Sequence, residues 1–150
     1  NWPSSDKIVA SPKNDGVTAT VKQTPGAIGY IEYGFAKLAK VDIVALENKA
    51  GKFVTPDDES GVAALANAKM SDGDLRVWIT DPAGDASYPI VTYTWMLFYK
   101  KYDDPKKAEI LRDVVKYCLT EGQKISSRMG YIPLPDNVVQ TVSAAAQTIQ

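Results

Sequence analysis

Residues 24–33, Thr24-Pro25-Gly26-Ala27-Ile28-Gly29-Tyr30-Ile31-Glu32-Tyr33, predict a turn, a buried strand and the start of a helix within ten positions. Proline fixes φ and glycine tolerates positive φ, so Pro25-Gly26 should end a preceding helix and form the turn. Residues 27–32 then predict a strand, and the apolar spacing after Tyr33 predicts a short helix over residues 34–40. This order of elements indicates an α/β protein.

Upstream of this stretch, Asn14 or Asp15 is predicted to cap a short helix that runs to about Gln23. Downstream, residues 41–46 and 53–54 read as two strands of a hairpin, joined by a turn that contains Gly51.

A second group of elements follows the hairpin. Thr55 is predicted to cap a helix that runs to about residue 69. Residues 90–99 are β-branched and aromatic, which predicts a strand buried inside a sheet. Pro105 should open one long helix that ends near Gly130, and Asp136 should cap a last helix.

Composition excludes several classes of function. The 150 residues are 45% hydrophobic and 23% charged, with 17 basic and 18 acidic side chains, which is typical of one soluble globular unit. Near-neutral charge gives no field for attracting nucleic acid, so we predict no nucleic-acid partner. The longest apolar run, residues 90–99, is shorter than the roughly 20 residues of a membrane-spanning helix.

The absence of histidine excludes Ser-His-Asp and Cys-His catalysis and histidine metal sites. The single cysteine, Cys118, falls on an apolar helical stripe and is predicted to be a buried thiol. Asp57, Asp58 and Glu59 could suggest a metal site, but the first turn of a helix explains acidic residues through the helix dipole. We therefore predict no enzymatic activity, no catalytic residue, no metal and no cofactor.

Two short patterns are compatible with anion binding. Gly26 and Gly29 invite comparison with a phosphate loop, but their spacing fits neither the dinucleotide nor the P-loop pattern. Asn14, Asp15 and Gly16 stand at a helix start, where free backbone amides favour anions. Asp15 is itself an anion, so a structural role is the simpler explanation for this position.

Six landmarks together resemble the phosphate-binding subunit of the phosphate-specific ABC transporter. They run in order along the chain and are Asn14-Asp15-Gly16-Val17, the stretch 23–33, Gly51-Lys52-Phe53-Val54-Thr55-Pro56, Tyr88-Pro89-Ile90, Gly122-Gln123 and Gly130-Tyr131-Ile132-Pro133-Leu134-Pro135. The resemblance is to the carboxy-terminal half of that longer protein.

The resemblance implies part of a two-lobe periplasmic-binding-protein fold of type II, an α/β fold with a mixed sheet flanked by helices. On this mapping, residues 1–88 form the latter part of lobe II, residues 89–100 form a crossover strand, and residues 101–150 form the carboxy-terminal helices of lobe I. The family's phosphate ligands map upstream of Asn1, because the Arg-x-x-x-Ser-Gly-Thr pattern has no match here. Asn14, Asp15 and Gly16 are left as the nearest candidates for the cleft wall.

The implied function is capture of inorganic phosphate for import, with the membrane permease and a missing amino-terminal half as partners. The implied location is the periplasm or cell envelope of a bacterium, free or lipid-anchored. The alternative is a stand-alone structural or protein-interaction domain that binds no phosphate. A glycosidase-like enzyme with paired carboxylates ranks third.

Overall fold

The computed structural model describes residues 5–70 and 74–150. The chain forms two compact units, Asn1–Ile43 and Val44–Gln150. Helices dominate both units, and the one sheet within the described residues has two strands.

The first unit holds α1 (Lys13–Gln23) and α2 (Tyr33–Ala39). The predicted cap at Asn14 or Asp15 is wrong, because Pro12 occupies the N-cap position and the helix begins at Lys13. Proline suits a helix start because its fixed φ is helical and a first-turn N–H needs no intrahelical partner.

The connection between α1 and α2 contains the predicted turn but not the predicted strand. Gly26 adopts φ 79°, and the Ala27 amide donates to the Thr24 carbonyl at 3.0 Å. Residues 27–32 form no ladder with any described residue, and the Ile28 side chain is 92% exposed. A strand requires a neighbouring strand for its backbone hydrogen bonds, so β-propensity alone does not produce one here.

The second unit begins with a short antiparallel hairpin. β1 (Leu46–Glu47) pairs with β2 (Phe53–Val54), with Leu46 opposite Val54 and Glu47 opposite Phe53. Gly51 adopts φ 71° in the connecting turn. This left-handed conformation has a steric cost for residues with a Cβ atom, and glycine avoids it. The predicted hairpin and its second strand are confirmed, but residues 41–45 form no strand, and the first strand keeps only Leu46 of the predicted range and extends to Glu47.

The helix α3 (Asp58–Ala66) starts from a capping box and not from the predicted Thr55 cap. The Asp57 carboxylate accepts from the Ser60 amide at 2.7 Å, and the Ser60 hydroxyl oxygen accepts from the Asp57 amide at 2.9 Å. These reciprocal bonds satisfy two amides at the helix start. The acidic cluster at residues 57–59 is therefore part of a helix cap, as its position predicts.

The predicted long helix after Pro105 is divided into shorter pieces. α4 (Pro105–Leu119) ends at Thr120, whose φ of −118° and ψ of −88° break the helix before α5 (Glu121–Ser126). A short 3₁₀ helix (Ser127–Met129) follows, and Gly130 ends it with φ 86°. Apolar periodicity continues across such a break, which explains why the sequence pattern did not reveal it.

The last helix, α6 (Asp136–Ala146), has Pro135 at its N-cap position, so the predicted Asp136 cap is wrong by one residue. α6 contributes to two apolar clusters. The first is centred on Leu65, Tyr93 and Val138, and the second on Val115, Leu119 and Ala146. Val142 packs against both clusters and links them.

Residues 89–100, predicted as a crossover strand, form no ladder with any described residue. The side chains of residues 90–96 nevertheless alternate in burial as in a strand, with Val91, Tyr93 and Trp95 facing the first cluster. The mixed sheet is accordingly not formed within the described residues, and the predicted lobe boundaries remain predictions. No helix among the described residues is long and apolar enough to cross a membrane.

Candidate functional site

The three residues predicted to line a cleft lie together in the first turn of α1. Asn14 and Gly16 are half-buried, and Asp15 is exposed. The Asn14 side-chain oxygen accepts from the Glu32 amide at 3.0 Å, which joins the helix start to the segment before α2. Asn14 therefore has a structural role. Asp15 lies in the first turn of α1, where its negative charge interacts favourably with the positive end of the helix dipole.

Gly16 is required by close packing. A Cβ atom at this position would lie 2.8 Å from the Cδ atom of Pro12, a distance that real Cβ contacts essentially never show. The Gly16 amide donates to the Pro12 carbonyl at 3.1 Å, so it is already engaged in the helix. Among the described residues, the amides of Asn14 and Asp15 have no such acceptor and remain available at the helix start.

The glycines of the opening stretch have structural roles. Gly26 supplies the positive φ of the turn, and a Cβ atom on Gly29 would lie 2.9 Å from Val17 Cγ1 and 3.0 Å from Val21 Cγ2. Gly29 thus lets its backbone pack directly on α1. These observations confirm turn and packing roles for Gly26 and Gly29.

A small cavity with a basic rim lies between α4 and α6, with a volume of about 50 Å³. Its polar lining includes Arg112, Lys116, Thr120 and Ser143. The Arg112 guanidinium donates to the Ile149 carbonyl at 2.5 Å, so one of its N–H groups holds the chain after α6. Lys116 adds an exposed positive charge at the same place.

Asn48, which the sequence analysis missed, is the buried side chain with the most hydrogen bonds among the described residues of the second unit. Its amide nitrogen lies 3.2, 2.9 and 3.1 Å from the carbonyls of Gly84, Asp85 and Ser87. Its oxygen accepts from the amides of residues 50 and 52 at 3.1 and 3.0 Å. The only sequence signal was an Asn three residues before a turn glycine, which is common in loops.

Ser87 completes this connection between the hairpin and the 81–88 loop. It is fully buried, and its hydroxyl donates to the Ala83 carbonyl at 2.7 Å. The adjacent Tyr88 amide donates to the Ser60 carbonyl at 3.2 Å. These hydrogen bonds connect the hairpin, the loop and α3, and no buried side-chain polar atom among the described residues lacks a partner.

Two ionisable groups are strongly perturbed, and each has a local cause. Burial raises the pKa of Tyr93 to about 12, and its hydroxyl donates to the Leu65 carbonyl at 2.8 Å. The hydrogen bonds from Arg76 lower the pKa of Asp74 to about 2. The described residues contain no group of three or more Cys, Asp or Glu side chains that could hold a metal ion.

Comparison with known proteins identifies the relatives of this chain. Residues 2–121 match the PBP superfamily domain. The chain is 35% identical over 144 residues to the phosphate-binding protein PstS of Xylella fastidiosa strain Temecula1, covering 95% of this chain and 39% of that protein. It is 39% identical over 155 residues to PstS of Methanocaldococcus jannaschii, covering 93% of this chain and 40% of that protein.

A third relative, PstS of Pasteurella multocida, is 32% identical over 148 residues, covering 98% of this chain and 42% of its own length. The chain thus spans about two-fifths of the length of the curated relatives it matches. These matches confirm the resemblance found in the sequence, and the chain belongs to the PBP superfamily, the solute-binding proteins that include these phosphate-binding relatives.

Proposed function

We propose that this chain is part of a solute-binding protein that captures inorganic phosphate for import by an ABC transporter. The observation that carries the proposal is the similarity of 93–98% of the chain to proteins named as phosphate-binding. In the complete protein the partners are inorganic phosphate and the membrane permease, and the location is the periplasm or cell envelope.

The proposed architecture is the two-lobe type II fold with a mixed sheet flanked by helices. Residues 1–88 belong to the latter part of lobe II, residues 89–100 cross between lobes, and residues 101–150 complete lobe I. Strand-like alternation of burial over residues 90–96 supports the crossover assignment. A single short hairpin is too little sheet for a ligand-binding lobe, so the remaining strands come from the unmatched three-fifths of the family protein.

Asn14, Asp15 and Gly16 are proposed as cleft wall and not as primary phosphate ligands. The Asn14 side-chain oxygen is already bonded to the Glu32 amide, and the Asp15 carboxylate would repel a phosphate anion. The available amides of this helix start lie beside that negative charge. Stoichiometric phosphate ligation by these three residues alone is therefore not expected.

Isothermal titration calorimetry with inorganic phosphate tests the proposal. The 150-residue chain alone is expected to show no micromolar binding. A chimera, in which this chain replaces the matching region of X. fastidiosa PstS, is expected to bind phosphate in that range. Micromolar binding by the chain alone would refute the upstream placement of the ligands, and a folded chimera that binds none would refute phosphate capture.

The cleft-wall position is tested in the same chimera. Asp15→Asn is expected to raise phosphate affinity about two- to tenfold at low salt, because it removes a negative charge near an anion. Asp42→Asn is the matched control, since Asp42 is another exposed carboxylate of the first unit. Equal effects of the two substitutions on phosphate affinity would contradict the assignment of Asp15 to the cleft wall.

A stand-alone structural or protein-interaction domain is the second candidate. The large exposed apolar side chains, including Trp78 at 85% and Leu97 at 93%, favour it because such surface is typical of contact sites. Absence of phosphate binding in the folded chimera would favour this candidate. No enzymatic activity is proposed.

A further inference from the structure

The cavity between α4 and α6 is lined by hydrogen-bond donors, and its lining contains no acidic side chain. Arg112 and Lys116 lie one turn apart on α4, and Ser143 and Gln147 have the same spacing at the end of α6. Residues four apart share one face of a helix, so each helix presents two polar groups to the cavity. Residues 137–150 contain no charged side chain, so the last helix adds no carboxylate that would neutralise the two cations.

The two cations have no counter-ion in the part of the chain that the structure describes. Arg112 donates one N–H to the Ile149 carbonyl, but neither Arg112 nor Lys116 forms an ion pair with a described carboxylate. Glu109 and Asp113 precede them by three residues, a spacing at which ion pairs form on helices, yet neither pair is present. An anion in the cavity would therefore offset the repulsion between two neighbouring positive charges.

The uncharged part of the lining also suits an anion. The Ser143 hydroxyl and the Gln147 amide form no hydrogen bond with any described residue, so both remain available as donors. Leu119 and Ala146 supply the apolar part of the lining, and both are buried. An apolar wall lowers the local dielectric constant and so strengthens attraction between charges. The cavity thus combines four available donors with a wall that favours charge pairing.

We propose that this cavity is a binding site for a phosphoryl group, carried by inorganic phosphate or by a small phosphate monoester. Its volume of about 50 Å³ exceeds the roughly 30 Å³ share of one water molecule, so the group itself can enter. The planar guanidinium of Arg112 keeps further N–H groups beside the one bonded to Ile149, and such a fork matches two phosphate oxygens.

A phosphoryl group fits the donor set better than a carboxylate does. A carboxylate has two oxygens and would leave part of the four donors without an acceptor, whereas a phosphate monoester has three free oxygens. Lys116 and Gln147 are exposed, so the organic part of a monoester would extend into solvent past them. The site is additional to the phosphate ligands expected upstream of Asn1, and it does not depend on the proposed function.

NMR titration of the ¹⁵N-labelled chain with inorganic phosphate at low ionic strength tests the site. The side-chain N–H signals of Arg112 and the backbone amides near Lys116 and Ser143 are expected to shift and saturate with a Kd of about 1–10 mM. Malonate, a dicarboxylate, is expected to bind about threefold more weakly or less, because it offers planar groups to the same donors. Absence of a saturable shift with phosphate, or equal affinity for malonate, overturns the proposal.

Lys116→Gln supplies the perturbation and Lys106→Gln its matched control. Both lysines are exposed on α4, and each substitution removes one positive charge. Lys106 lies about 15 Å away along the helix and does not line the cavity. Lys116→Gln should weaken phosphate binding about five- to tenfold, and Lys106→Gln less than about twofold. Equal effects of the two substitutions overturn the proposal.

Glycerol 3-phosphate distinguishes the two sources of the phosphoryl group. Tighter Lys116-dependent binding of this monoester than of inorganic phosphate assigns the site to monoesters, and the reverse order assigns it to the free ion. The absence of Lys116-dependent binding for both ligands overturns the proposal.

The X. fastidiosa chimera described above tests the same site in the context of a complete protein. After micromolar phosphate has saturated the cleft, a second, Lys116-dependent site is expected at millimolar phosphate. Absence of this second site in the folded chimera overturns the proposal, because another part of the protein would then fill the cavity. Loss of the micromolar binding with the millimolar site retained would refute the proposed function and leave this site intact.

Discussion

Asn48→Asp should be among the most destabilising conservative substitutions in the second unit. The side chain is 5% exposed, and its two amide hydrogens are shared among three carbonyls. Aspartate has the same shape and keeps an acceptor for the residue 50 and 52 amides. Its carboxylate has no donor, so it would face the carbonyls of Gly84, Asp85 and Ser87 with a negative charge.

The magnitude follows from these contacts. Loss of two donor bonds costs about 1 kcal/mol each, and leaving buried polar groups unsatisfied adds about 1–3 kcal/mol. The free energy of unfolding should therefore fall by about 3–5 kcal/mol. With a urea slope of about 2 kcal/mol per molar for a small protein, the unfolding midpoint should fall by roughly 2 M.

Urea unfolding at pH 7 is the assay, followed by the fluorescence of Trp78 and Trp95, both in the second unit. Asn67→Asp is the matched control. Asn67 donates to the carbonyls of Ala63 and Ala83, but it is exposed and water can replace those bonds. We expect the control to lose no more than about 1 kcal/mol.

The pH dependence gives an internal check. An aspartate surrounded by carbonyl oxygens binds its proton more tightly when folded than when unfolded, so its folded pKa is raised. Stability then falls as pH rises above the unfolded pKa, and the deficit relative to wild type should shrink between pH 7 and pH 4. A deficit below about 1 kcal/mol at pH 7, or one equal to that of Asn67→Asp, would refute the inferred role of Asn48.

Two further predictions concern Tyr93 and Gly61. Burial raises the folded pKa of Tyr93 to about 12, above its usual value near 10, so stability present below pH 10 should be lost as pH rises through 12; by pH 11 the free energy of unfolding should have fallen by about 1–1.5 kcal/mol. Urea unfolding from pH 8 to 11 measures this decline, and Tyr93→Phe should reduce it, with an additional cost of about 1 kcal/mol at pH 7 from the unpaired Leu65 carbonyl. Gly61→Ala would place a Cβ atom into the Ile132 side chain and should cost about 1–3 kcal/mol by thermal unfolding, whereas the double variant with Ile132→Val should recover part of that loss if overlap is its cause.

Helices of this chain were predictable because their signals are local. Proline at residue 105, the amphipathic spacing after it and the acidic residues before α3 each act within one or two turns. Even so, cap positions moved by one or two residues, since Asp57 rather than Thr55 accepts from the Ser60 amide. Neighbouring polar residues compete for one cap, and sequence alone gives little basis for choosing between them.

Contacts between distant parts of the chain were not predictable. Asn48 reaches carbonyls that lie 36 to 39 positions further along the chain, and no local pattern identifies those acceptors. The role of Asn14 in the candidate cleft wall was unpredictable for the same reason, because its side-chain oxygen accepts from the Glu32 amide 18 residues away. A position that resembles a helix cap in sequence thus serves to join two segments.

The segments whose strand prediction failed share one physical cause. Residues 27–32 and 90–98 have strand propensity, yet neither forms a ladder among the described residues. Strand formation depends on a partner, whereas side-chain alternation is encoded in the segment itself. Residues 90–96 keep that alternation, with one face packed on the core and the other exposed, and it ends at Leu97, which is 93% exposed. Periodicity therefore predicts which side chains of a segment share a face, whereas the presence of a ladder depends on a partner strand that no local pattern specifies.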